Sequence, residues 1–228
     1  MSKLPIILSI ETATKQCSVA LSEGDKLLAC EELAEEQYSH AEKLHDFVRQ
    51  VIERSGLAFS DLDAIAVSKG PGSYTGLRIG VSAAKGFCYA LKIPLIAHGT
   101  LEILAQQISP TNGLIIPMID ARRMEVFCAT FSHEGVLVKA IEAKVIDETS
   151  FSELEGDVPV YFIGDGAMKC ATVLTAPNFK FIDAIVYPSA KEMVALSYEK
   201  YKAKDFVDVA YFEPYYLKDF VMPVKQKK

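Results

Sequence analysis

The chain opens on two hydrophobic rhythms. Residues 4–10 (LPIILSI) are apolar and β-branched, and residues 17–22 (CSVALS) alternate with a period of two. The polar stretch 11–16 (ETATKQ) separates them, and Glu23-Gly24-Asp25 leads into a third strand pattern at 26–33 (KLLACEEL). Three strands joined by short polar turns predict an antiparallel meander. Beyond it the period lengthens. Leu44, Phe47, Val48, Val51 and Ile52 recur at three- and four-residue spacing, which predicts a helix from about Ser39 to Arg54. Ser39 with Glu42 has the capping-box spacing, and Gly56 is a plausible stop. A short strand at 63–68, a glycine-rich turn at 70–73, a long helix from about Tyr74 to Leu91, a strand at 93–97 and a helix at 100–107 follow.

The same order then begins again. Residues 114–119 (LIIPMI), a turn at 120–123, and strands at 124–131 and 136–141 make a second meander. A short helix near 149–154, a strand at 160–163, the Gly164-Asp165-Gly166 turn, a helix at 167–174, a short strand at 181–182 and a helix at 189–202 complete the pattern. Two copies of one α/β lobe are therefore expected, 1–109 and 110–228, divided at Pro110-Thr111-Asn112-Gly113.

Composition narrows the class. No apolar run approaches the ~18 residues of a membrane span, and the start of the chain lacks the features of a signal peptide. The five cysteines, 17, 30, 88, 128 and 170, are scattered with no CxxC pair. That spacing gives no zinc or redox motif, and reduced, buried thiols in a cytoplasmic protein are expected. Net charge is −6; residues 1–105 hold 10 Lys/Arg against 13 Asp/Glu, and the remainder 14 against 17. Neither half is the basic lobe of a protein that grips nucleic acid unaided, so direct RNA contact would need a local patch such as Arg122 and Arg123.

The densest chemistry lies between Ser68 and Gly86, SKGPGSYTGLRIGVSAAKG. A tight turn precedes a helix start, with Ser73 or Thr75 as possible cap. Such a turn can cradle an anion. It lacks the Gly-Lys-Ser/Thr ending of a P-loop, and its glycines also suit plain turn geometry. In the helix, Gly76, Gly80 and Ala84 recur every four residues, with Ala83 and Gly86 nearby. Each of the three glycines costs about 0.8–1.0 kcal/mol relative to alanine, so another backbone is expected to approach closely. That backbone belongs either to the chain's own sheet or first helix, or to a second protein.

The segments LSIETAT (8–14), YSHAE (38–42), GPGSYTGLRIG (70–80), DARR (120–123) and PYYLK (214–218) resemble, in order, the signature segments of the TsaB (YeaZ) family. The central run is highly specific and the others are individually weak. The resemblance implies an actin-like ATPase (ASKHA, RNase H-like) fold of two related lobes, the second reduced. It also implies a non-catalytic subunit that binds TsaD, the transferase placing threonylcarbamoyl on adenosine 37 of tRNAs that read ANN codons. TsaE would join a larger complex, tRNA would be engaged indirectly, and a homodimer would form when the chain is alone. In that setting Leu44, Phe47, Val48, Val51, Gly76, Gly80, Ala83, Ala84 and Phe87 are the expected partner interface.

An enzymatic alternative is an ASKHA-type ATPase. Glu11, Thr12 and Lys15 after the first strand, Asp120 after its counterpart, and Gly164 and Gly166 would then hold ATP or ADP with Mg²⁺. The same residue types suit ordinary turns. A metal site is not expected: where TsaD proteins carry His-Met-Glu-x-His, this chain has Thr100 and Leu104 at the histidine positions. His98 and Glu102, four apart, are too few ligands, and His98 is better read as a surface or capping residue.

Overall fold

The computed structural model describes residues 3–34 and 40–218. The first sheet is built from β1 (Ile6–Glu11), β2 (Gln16–Glu23), β3 (Lys26–Ala34), β4 (Ala64–Ser68) and β5 (Leu95–His98), in the order β3-β2-β1-β4-β5. β1, β2 and β3 form the expected antiparallel meander, while β4 and β5 join in parallel. The second sheet is β6 (Leu114–Asp120), β7 (Glu125–Ser132), β8 (Leu137–Val145), β9 (Val160–Ile163) and β10 (Phe179–Phe181). Its order, β10-β9-β6-β7-β8, is the first order over again, with the same parallel and antiparallel pairs. Two related α/β lobes with the actin-like arrangement are therefore present.

Both faces of the first sheet are covered, which explains why β1 and β4 read as continuous apolar runs. Ile6, Leu8, Ile10, Val19, Leu21, Ile65 and Val67 face α1 (His40–Ser55) and α2 (Tyr74–Leu91). The alternate positions Ile7, Ala20, Ala64 and Ala66 face the other way, toward α4 (Met193–Ala203). Three of those four are alanines, and the small side chains let that helix sit close. The Ser39 capping box lies outside the described residues. Gly56 ends α1 at φ +65°, a left-handed stop.

The two lobes exchange helices. α3 (Thr100–Ala105) packs Leu101, Leu104 and Ala105 against Ile115, Ile119 and Ile163 of the second sheet. In return α4, grouped with the second lobe on sequence grounds, packs on the first sheet through Met193. His98 Nε2 and Ser197 Oγ, 3.0 Å apart, join β5 to α4, and Lys200 donates to the Ala97 carbonyl at 3.0 Å. After α4 the chain runs back along the first lobe. Val207 N donates to Leu95 O at 2.9 Å, Lys85 Nζ to Phe212 O at 3.0 Å, and Tyr215 N to Lys69 O at 2.6 Å.

The second lobe is reduced in its helices rather than its strands. Where α1 and α2 stand in the first lobe, the second has single 3-10 turns at Ser152–Leu154 and Met168–Cys170. The helix expected over 167–174 is thus one turn. Isolated short helices are unstable because nucleation fixes three residues for one hydrogen bond. An aromatic cluster fills the space instead: Phe162 packs against Phe151, Phe179 and Phe181 at ring distances of 5.5, 5.1 and 4.9 Å.

The glycines of α2 are explained from inside the chain. A Cβ on Gly76 would collide with the carbonyl oxygen of Thr12, and one on Gly80 with Thr12 Oγ1. Thr12 Oγ1 donates to Gly76 O at 2.8 Å, so the β1–β2 turn is hydrogen-bonded into the bare side of the helix. Gly86 differs: it is exposed, and a Cβ there would meet nothing within 4 Å. Gly76→Ala should therefore destabilise the protein by about 1–3 kcal/mol through overpacking against backbone. Gly86→Ala should stabilise it by roughly 0.8–1.0 kcal/mol of helix propensity. Urea unfolding of the two variants checks both signs.

Candidate functional site

A cleft of about 580 Å³ opens where the ends of β1 and β6 face each other across the lobes. One wall is Ala13 and Thr14 of the first turn with Gly72, Ser73, Tyr74 and Thr75 at the start of α2. The opposite wall is Asp120, Ala121, Arg122 and Asp165, and the C-terminal segment Tyr215–Lys218 runs along the mouth. Ser73 caps α2 by accepting from Gly76 N, as its residue type predicts. Its own N–H donates to Ala13 O at 2.7 Å, and Gly72 lies so close to Ala13 that no Cβ would fit. The glycine-rich run is therefore a clasp between the first turn and α2. His40 Nε2 adds a bond to the Thr14 carbonyl at 2.8 Å, fixing the same turn to α1.

Most residues expected to hold a nucleotide serve other ends. Glu11 and Thr12 are fully buried and do not line the cleft. Glu11 Oε1 accepts from Ala13 N at 2.6 Å and Ser68 Oγ at 3.0 Å, while Oε2 has no partner among the described residues. Burial pushes its carboxyl up to about 7, against the lowering effect of those donors. Gly164, at φ +101°, packs against the Met118 carbonyl, and Gly166 against Ile119 and Asp120. Neither glycine offers an open cradle. Lys15 is exposed. Asp120 does line the cleft, and there its Oδ1 accepts from Arg122 N at 2.7 Å and pairs with Lys169.

Sequence reasoning passed over Asp165, which sits between two glycines it singled out. Its Oδ1 accepts from Asp120 N at 2.9 Å, tying two turns of the second lobe together. Burial raises its carboxyl to about 6, with the Asp120 charge adding to the effect. Spacing alone marked only the turn; burial of the carboxylate depends on the neighbouring strand.

His98 is corrected from a surface residue to a core one. It is fully buried on β5, and burial first, then nearby Lys200, pulls its imidazole down to about 3. Glu102 Oε2 is 4.0 Å from its Nδ1, and Glu102 Oε2 also caps α3 by accepting from Gly99 N at 3.2 Å. Among the described residues no three His, Cys, Asp or Glu side chains converge as metal ligands. The buried thiols of Cys17, Cys88 and Cys128 are pushed up to about 12 by burial, which leaves them unreactive.

The expected partner interface is also corrected. Leu44, Phe47, Val48, Val51, Gly76, Gly80 and Ala84 are buried within the chain's own core. Only Ala83 and Phe87 remain half-exposed. The helix pair instead turns outward a different set: Thr75, Ser82, Gly86, Tyr89 and Ala90 are exposed on α2, with Ile79 half-buried among them. Phe87 stacks on Phe59 at 5.9 Å and meets His45 edge-on at 6.1 Å. Tyr89 is 84% exposed.

Comparison with known proteins gives concordant matches. A family model described as "TsaD: tRNA N6-adenosine threonylcarbamoyltransferase" matches residues 32–224. The chain is 32% identical to the tRNA threonylcarbamoyladenosine biosynthesis protein TsaB of Bacillus subtilis, covering 93% of each chain. Against the protein of that name from Escherichia coli it is 29% identical over 94% of this chain and 95% of the relative. The solved structure of YeaZ from Pseudomonas aeruginosa superposes with a TM-score of 0.81 at 25% identity, over 94% of this chain and all of that one. Among the described residues no helix is long and apolar enough to cross a membrane.

Glu11 makes the fold pH-dependent in a defined direction. Its carboxyl is raised from 4.5 to about 7 in the folded state, so the native protein binds an extra proton between those values. The contribution of Glu11 to stability is then full below about pH 4.5, falls as pH rises toward 7, and is lost above. Glu11→Gln removes this contribution and leaves that of Asp165 in place. The difference in unfolding free energy between wild type and Glu11→Gln should therefore change by on the order of 3 kcal/mol across that window. Urea melts of both proteins at several pH values measure it; parallel curves would exclude the effect.

Proposed function

The chain belongs to the TsaB (YeaZ) family of tRNA threonylcarbamoyladenosine biosynthesis proteins, and on that premise we propose that it is a non-catalytic subunit supporting a TsaD-type transferase. The observation that carries this reading is the fate of the strand-end residues where an actin-like ATPase would hold its nucleotide. Glu11 is sealed beneath the first turn, Thr12 is hydrogen-bonded into α2, and Gly164 and Gly166 are packed against backbone. Each is committed to holding the lobes in shape.

The surface available to a partner supports the same reading. Thr75, Ile79, Ser82, Ala83, Gly86 and Ala90 form a low-profile strip along α2 that admits close approach of another helix. Phe59, Phe87 and Tyr89 flank it as large apolar anchors of the kind that dominate binding energy. The match to a transferase family model over 32–224 supports a partner related to this chain in sequence. The natural complex is then pseudo-symmetric, with α1 and α2 packed on the corresponding helices of the transferase. The same strip gives a homodimer when the partner is absent, because an exposed apolar face tends to pair with itself. A TsaE-type component would join the assembled pair, and the product would be threonylcarbamoylated adenosine 37 of tRNA.

Gly86→Leu should abolish co-purification with the organism's TsaD-type transferase and convert any homodimer to monomer by size exclusion. Its unfolding midpoint should stay at or above the wild-type value, since leucine is the better helix former. Full co-purification by this variant would reject the interface. The ATPase reading retains one supporting feature, the interlobe cleft itself. Titration calorimetry with Mg-ATP is expected to show no saturable heat from the isolated chain.

A further inference from the structure

Both walls of the cleft are flanked by positive charge that the fold does not pair. Lys15, Arg122 and Arg123 are exposed, and among the described residues none of their side chains has an ion pair. Their neighbours do pair off. Asp120 is engaged by Lys169 and by Arg122 N, Glu125 by Lys218, and Asp165 accepts from Asp120 N. Lys169 also donates to the carbonyls of Arg123 and Glu125 at 2.7 Å, and Lys15 acts electrostatically on Asp165. The groups are therefore one contiguous cluster. Its carboxylates are satisfied, and three cations are left over on a chain whose net charge is −6.

The backbone beneath two of these cations is strained. Arg122 and Arg123 sit at φ +73° and +50°, consecutive left-handed positions in the β6–β7 turn. Glycine or asparagine would satisfy such a turn at lower cost, and strain of this sort concentrates where a side chain is needed for binding. Arg122 lines the cleft together with three flat rings, Tyr74, Tyr215 and Tyr216. Tyr215 is 45% exposed, and Tyr74 pairs with Tyr216 at 4.9 Å with the Arg78 guanidinium 4.6 Å over the Tyr74 ring.

We propose that this rim, Lys15, Arg122 and Arg123 with Tyr215 alongside, is a direct contact for an unpaired segment of tRNA, the cations meeting phosphates and the ring stacking on a base. The inference rests on the tRNA-modification role and adds a nucleic-acid surface to a subunit otherwise proposed to act through its transferase. Exposed guanidinium groups around a cleft lined by aromatic rings match single-stranded RNA better than an acidic peptide, which would need the charge alone.

The test uses the complex of this chain with its transferase and fluorescently labelled tRNA, titrated over a range of salt concentrations. The double variant Arg122→Gln/Arg123→Gln should bind about tenfold more weakly at low salt, with the log–log salt slope flatter by about 1.4–1.8 for two lost phosphate contacts. Lys139→Gln/Lys144→Gln, on the outer strand of the second sheet, should match wild type. Arg122→Gly keeps the left-handed turn and removes one cation, so it should raise the unfolding midpoint while weakening tRNA binding. Wild-type affinity and slope in the double variant, with the complex intact, overturn the proposal. Loss of complex assembly at an unchanged tRNA slope also overturns it and assigns the rim to an acidic protein segment. If wild type fails to assemble with the transferase at all, the functional reading fails by itself. The salt slope of the isolated chain with tRNA then decides the rim separately.

Discussion

The seat of Thr12 against the first turns of α2 is the contact on which the remaining structure depends. Its hydroxyl donates to Gly76 O; its carbonyl fills the space that a side chain at position 76 would occupy, and its hydroxyl that at position 80. Glycine is unfavourable within a helix, yet here any other residue would force β1 away from α2. The approach fixes the β1–β2 turn, brings Gly72 and Ser73 onto Ala13, and buries Glu11 beneath them.

The second constraint is the exchange of helices between lobes. α3 covers the second sheet and α4 the first, so neither sheet buries both faces with its own contiguous segment. Interlocking of this kind holds the two walls of the cleft in fixed relation and compensates for the second lobe's single-turn replacements of α1 and α2. Among the described residues it leaves the face of α2 that carries Thr75, Ser82, Gly86 and Ala90 exposed. That surface, rather than the cleft, is where low side-chain profile and exposed aromatic rings coincide.

Much of the fold was legible because its signals are local. Period-two and three-to-four-residue patterns marked the ten strands and four α-helices of the described residues closely enough to reveal the duplicated order. They failed at 167–174, where apolar residues at helical spacing satisfy a compact aromatic core without a helix long enough to persist. They also did not show that α4 packs on the first sheet, because its apolar residues do not state which sheet they face. The site was less legible. Four-residue spacing of Gly76, Gly80 and Ala84 announced a close approach correctly, but the approaching backbone was Thr12 of the same chain. Gly86, the glycine facing open space, had no distinguishing spacing. His98 and Asp165 were misjudged or passed over because burial of a polar group is decided by strands distant in sequence.

The sequence alone therefore determined the element order, the repetition of the α/β unit, the glycine-rich turn at residues 70–73 and the family resemblance, all properties of neighbouring residues or short motifs. Tertiary structure alone decided which glycines meet the chain's own backbone, which carboxylates are buried, and which cations remain unpaired at the rim. The physical reason is that hydrophobic periodicity reports that a face is covered, whereas burial, pairing and close contact depend on which distant segment covers it.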